Sequence, residues 1–148
     1  MAGSSDTTRI PLQVSQGCIV ASIQVDLRPN VLAGFQADVL NLLRDSGARA
    51  LIVDLSGVQT IDLEEFEALL RTSDMARLMG ARSVLSGLNA GVVSSLVDLD
   101  VNPADVEATR TLDAAFALVG SAPGSLSQAR RTGFPTGDLD DADDPDSE

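Results

Sequence analysis

The chain has 148 residues, enough for one domain of ordinary size and a tail. Its net charge is −12, from 22 acids against ten bases that are all Arg, and it carries one Cys and no His. That balance offers no basic face for nucleic acid or an anionic membrane, and it removes His metal ligands, His-based nucleophile dyads and any intramolecular disulfide. Seven of the acids crowd into residues 138–148, so the body before them holds 15 acids against ten Arg and is only mildly acidic.

Residues 1–8 are small and polar, lack the apolar run of a signal peptide, and read as a flexible lead-in. Ile10, Leu12 and Val14 form a short extended segment, in which Pro11 cannot donate a ladder hydrogen bond and suits a strand start or edge. Ser15, Gln16 and Gly17 form a turn into a second strand over residues 18–25, rich in β-branched Ile19, Val20, Ile23 and Val25, so the two read as a hairpin. Cys18 opens that strand as a small core hydrophobe with an inert thiol. Residues 26–30 break the strand. The spacing of Leu32, Phe35, Val39, Leu42 and Leu43 predicts a helix over 31–45, closed by Gly47 as a left-handed C-cap.

Residues 50–55 read Ala-Leu-Ile-Val-Asp-Leu, a strand covered on both faces. Ser56 and Gly57 turn the chain. Asp62 is a good N-cap and Glu65 completes an Asp version of the capping box. A helix over 63–79 follows, with Phe66, Leu69, Leu70, Ser73 and Ala76 inward, and Gly80 ends it. A strand over 82–86, a turn at Gly87 and a helix over 91–99 come next; Val92, Val93, Leu96, Val97 and Leu99 give that helix an apolar stripe expected to face the core. After a break at Pro103, a short strand over 106–109 and a helix over 112–119 complete the body. This order predicts an α/β fold: a single domain over 9–120 with a mixed, largely parallel sheet, right-handed crossovers and about four helices. From Ser121 the chain turns Gly-, Ser- and Pro-rich and then acidic, predicting a disordered acidic tail over 121–148 in which Arg130, Arg131 and Phe134 belong to a solvated linker. No apolar run approaches the ~18 residues of a membrane span, so a cytoplasmic protein is expected.

The exposed turn held between a buried strand and a capped helix is the feature best placed to meet a partner. Ser56, Gly57, Thr60, Asp62, Glu64 and Glu65 are its candidate residues. Asp54 and Asp62 could suggest a carboxylate pair, but Asp54 ends a strand and Asp62 serves as the cap. With no phosphate-binding Gly motif and no metal-ligand spacing, neither an enzyme nor a cofactor is expected.

Asp54-Leu55-Ser56-Gly57-Val58 followed by Ile61-Asp62 resembles the signature of STAS domains, the fold of bacterial anti-sigma factor antagonists. Ile10-Pro11-Leu12, Ser22-Ile23-Gln24, Phe35-Gln36-Ala37-Asp38, Leu78-Met79-Gly80-Ala81 and Ser86-Gly87-Leu88 follow in order and resemble the RsbS type, the small scaffold of the stressosome. The likeness spans about residues 10–119. It implies a non-enzymatic scaffold that joins R-type sensor-STAS proteins in a large hetero-oligomer. It further implies that the assembly holds an RsbT-type serine/threonine kinase until phosphorylation releases it. The family's phospho-acceptor, a Ser or Thr, follows the Asp; here that position is Leu63, which has no hydroxyl. Two readings of Glu64 and Glu65 remain, a standing imitation of the phosphorylated state or ordinary capping acids. Thr60 in the same turn and Ser95, which matches a second phosphorylated position of R-type domains, are alternative phosphosites; the plainer role of Ser95 is a helix-surface residue. The alternative function is a simple anti-sigma factor antagonist bound to an anti-sigma kinase in a small complex.

Overall fold

The computed structural model describes residues 8–102 and 106–120. The expected lead-in before residue 8, the break at Pro103 and the tail from Ser121, with Arg130, Arg131 and Phe134, lie outside the described residues. The chain enters its sheet through a hairpin, β1 (Leu12–Ser15) and β2 (Cys18–Ser22). Gln16 and Gly17 both take positive φ (54° and 75°), the type I′ geometry whose twist matches that of the flanking strands. β1 starts at Leu12 instead of Ile10, because Pro11 contributes only its carbonyl, which accepts from Ser22 N at 3.3 Å.

Three parallel strands follow: β3 (Ala50–Asp54), β4 (Arg82–Ser86) and the two-residue β5 (Ala108–Thr109). The strand order is β1-β2-β3-β4-β5, with β1 antiparallel to β2 and every other pair parallel. β2 stops at Ser22 instead of reaching Val25, because its partner β3 ends opposite, at Asp54; beyond it Ile23 N bonds Asp54 O at 3.0 Å and the chain turns away. β5 is likewise shorter than the predicted 106–109.

Helix α1 (Pro29–Ser46) starts two residues before the predicted 31, with Pro29 in the first turn, where a missing N–H costs nothing. It ends at Gly47, φ 66°, whose N–H donates to Leu43 O at 3.0 Å. Helix α2 (Leu63–Leu78), helix α3 (Ala90–Asp98) and helix α4 (Leu112–Gly120) complete the order. The core is built from one face of the strands, Ile19, Ala21, Leu51, Val53 and Leu85, against Phe35, Val39 and Leu43 of α1, Phe66, Leu69 and Ala76 of α2, and Val92 of α3. Each fully buried large side chain there contributes about 1.5–3 kcal/mol. Within α2, Thr72 is buried beside Ser73, and its hydroxyl donates to Ala68 O at 3.1 Å; Leu70 is only half-buried.

The predicted apolar stripe of α3 does not all face inward. Val92 is buried and Leu96 packs against the core, but Val93 and Val97 are 44% and 68% exposed. They stand about a quarter turn or more round the helix from Val92, and this nine-residue helix touches the core along one line only.

The reverse face of the sheet is buried as well, at Cys18, Val20, Ala50, Ile52 and Val84. Arg82 points to that side by strand alternation and anchors two elements. Its guanidinium donates to both Glu107 oxygens (3.1 and 2.7 Å) and, through Nη1, to Leu118 O in α4 (3.2 Å). That hydrogen bond from Arg82 holds the Glu107 carboxyl below its ordinary pKa. Among the described residues, no helix is long and apolar enough to cross a membrane.

Candidate functional site

The site begins where β3 ends. Asp54 Oδ1 accepts from Ser56 N at 3.0 Å, and Val58 N donates to Leu55 O at 2.9 Å, so the chain reverses within four residues. Gly57 lies against the segment after β2: a Cβ there would come within 3.1 Å of Ile23 O. Gly87, at φ +74°, packs equally close on the other side, where a Cβ would meet Asp54 Oδ1 at 2.8 Å and Ser56 at 2.9 Å. The turn is thus wedged between two neighbouring strand ends. Ser56, Gly57, Gln59 and Thr60 remain exposed along its crest.

The predicted capping box is present. Asp62, in extended conformation, accepts through Oδ1 from Glu65 N at 2.8 Å, and Glu65 Oε1 accepts from Asp62 N at 2.9 Å. The paired bonds commit the Glu65 carboxylate to the cap, while Glu64 faces solvent. Leu63 is the first helical residue and is 43% exposed, an apolar side chain displayed next to the helix's free N–H groups.

The side of the turn toward α3 carries a contact that the sequence reading missed. Asn89 caps α3, its Oδ1 accepting from Val92 N at 3.0 Å, and its Nδ2 donates to the Val58 carbonyl of the turn. Two residues on, a Cβ at Gly91 would overlap the Gln59 carbonyl oxygen. The available signal was the Gly87-Leu88-Asn89-Ala90-Gly91 spacing straight after a strand. Ser95 is one turn further along α3, and its hydroxyl donates to Gly91 O at 3.0 Å, engaged by its own helix.

On the opposite flank the turn borders an open groove of about 1000 Å³, walled by the start of α1 and the start of α2. Leu32 and Val58 give it apolar floor, while Glu64, Glu67, Arg28 and Arg71 edge it. Of the predicted residues, Gly57, Thr60, Asp62, Glu64 and Glu65 line this groove; Ser56 is on the adjacent crest, and Ser95 is apart, on α3. Cys18 is remote from the site, and burial pushes its thiol pKa up, so it stays protonated at neutral pH. Chemically, the arrangement offers an acidic, rigid crest with one exposed Leu. Residues 54–70, which carry the crest and the start of α2, contain five acids and no base, while Arg28 and Arg71 stand along the groove.

Comparison with known proteins bears on the fold. No curated protein sequence matches at a significant level. Among solved structures, an RsbS variant from Moorella thermoacetica superposes with a TM-score of 0.67 at 19% identity, covering 76% of this chain and 96% of that one. A chain from a structure of the stressosome, described as a signal integration and transduction hub, gives 0.66 at 19% identity, with 74% and 96% covered. A putative anti-sigma factor antagonist from Thermotoga maritima gives 0.62 at 20% identity, with 76% and 95% covered. At these identities the likeness is one of fold. The STAS domain family model matches residues 9–115, nearly the whole body. A parallel sheet led by an antiparallel hairpin, and a wedged turn feeding a capped helix, are therefore features of a family member: the chain belongs to the STAS domain family, whose fold is that of anti-sigma factor antagonists.

Proposed function

We propose that this chain is a non-enzymatic, cytoplasmic scaffold of a stressosome-type partner-switching system, co-assembling with R-type sensor-STAS proteins and holding an RsbT-type serine/threonine kinase. The observation that carries this reading is the place of Leu63. It is the exposed first residue of α2, directly after a fully formed cap, on a turn that neighbouring elements hold still. A phosphate at such a position would be tolerated by the helix's positive end and would disturb whatever docks on the turn. Leu63 removes the hydroxyl and keeps the docking surface, so this chain contributes assembly while switching rests with its partners. Glu64 and Glu65 are capping acids in this reading: Glu65 is bonded into the box, and neither stands where the phosphate would. Thr60 is the exposed hydroxyl next to the site and the better alternative acceptor; Ser95 is occupied by Gly91 O. The five acids of the turn and the start of α2, with no base among them, call for a positively charged docking face on the partner, so complex formation should weaken as salt rises.

The test is affinity capture of the protein from lysate of its own cells, with partners identified by mass spectrometry and the eluate sized. Recovery of a sensor-STAS protein and a small kinase in a large particle is the expected result. Recovery of a single anti-sigma kinase in a small complex would replace this reading with that of a simple anti-sigma factor antagonist.

A further inference from the structure

We propose that Asn89 is the positioning residue of the partner-reading turn: one amide group caps α3 and fixes the Val58 carbonyl, so that the turn and the first turn of α3 are presented as a single rigid surface. This rests on the reading of the turn as the docking element. Ser, Asp and Asn cap a helix about equally well, so the cap alone does not call for an amide. Among these, only Asn carries an acceptor and an N–H donor at the end of one short side chain. Here the acceptor takes Val92 N and the donor reaches Val58 O, 31 residues earlier in the chain. Asn89 is half-buried, so both bonds lie partly out of water.

The neighbouring residues fit the same purpose. Gly91 is in the first turn of α3, where a side chain would ordinarily favour the helix, yet any Cβ would strike the Gln59 carbonyl. The helix gives up that preference to let the turn approach. Val58 is then held at both backbone groups, its N–H on Leu55 O and its C=O by the Asn89 amide. Among the described residues, the remaining backbone of the crest has no comparable tie from α2, whose capping box is closed on itself. Displacing α3 therefore displaces the crest, and a partner seated on the crest resists movement of α3.

Two variants of the full chain separate this role from simple capping. Asn89→Ser keeps a hydroxyl cap for α3 and removes the amide donor. Gly91→Ala keeps Asn89 and favours the helix, but pushes a methyl group against Gln59. Amide hydrogen exchange followed by NMR reads Val58 N–H for the turn and Val93 N–H, bonded to Asn89 O, for α3. In both variants Val58 exchange should rise about tenfold or more while Val93 changes less than about twofold, a local opening that a capping defect would not produce. Unchanged Val58 exchange in both variants would overturn the proposal, as would parallel loss at Val58 and Val93 in both. Captures from lysate with each variant then test the reading beneath it. If wild type recovers no partner while Val58 responds as expected, the positioning role stands and the docking assignment falls.

Discussion

Replacing Asp62 by Ala is the sharpest check on how α2, and with it Leu63, is held. The substitution removes the acceptor of Glu65 N at 2.8 Å but leaves Glu65 Oε1 bonded to the backbone N of residue 62. Loss of a side-chain cap costs about 1 kcal/mol. Loss of a carboxylate at the positive end of the helix adds about 0.3–1 kcal/mol. The sum is about 1.5 kcal/mol, and at about 4–8 °C per kcal/mol for a domain near this size, Tm should fall by about 6–12 °C. Asp62→Asn retains the acceptor and loses only the charge, so it should cost about 0.3–1 kcal/mol at low salt and less in about 1 M salt, where surface charges are screened. Thermal and urea unfolding followed by circular dichroism measure both variants. If Asp62→Ala stays within about 0.3 kcal/mol of wild type, or if Asn proves as costly as Ala, the box is not what holds the helix start.

Two further outcomes concern the same side of the molecule and its far end. Leu63→Ser should lower stability by no more than about 1.5 kcal/mol, because the Leu is already 43% exposed, and should gain phosphate at that position from a captured partner kinase and ATP; absence of incorporation would mean that the kinase does not read this turn. The Arg82–Glu107 pair lends stability above the ordinary carboxylate pKa and loses it as pH falls through the lowered folded-state value of Glu107. With Glu107 42% exposed, solvent screening keeps its worth to about 0.5–1 kcal/mol, so Glu107→Gln should be that much less stable near pH 7 and equal to wild type once the pH lies below the lowered folded-state value of Glu107; a difference surviving below that point would refute the ionic account.

Elements whose ends are set by local chemistry were legible in the sequence. The strand over 82–86 matches residue for residue, since Gly80 and Gly87 punctuate it. The start of α2 follows from Asp62 and Glu65 alone, and the left-handed Gly47 from its place after Leu43. What escaped was set by tertiary neighbours. The outward turn of Val93 and Val97 depends on how α3 lies on the core, which apolar periodicity does not contain. The second bond of Asn89 spans 31 residues, and the two-sided grip of Arg82 on Glu107 and Leu118 spans 25 and 36. Of the candidate site, the crest and cap were visible in the motif, whereas the groove appeared only once α1 was set beside α2.

The sheet's order never reverses from β1 to β5. In open α/β sheets, small ligands enter the cleft formed where successive crossovers part to opposite sides. Here the crossovers through α1, α2 and α3 all pack on one side, into one core, so the strand ends close without parting. Under the proposed function, recognition at that end would be by apposition of area and charge across the crest and its open groove instead of enclosure. Such a contact would be remade or released by altering one residue or the ionic strength, as the proposed exchange of partners requires.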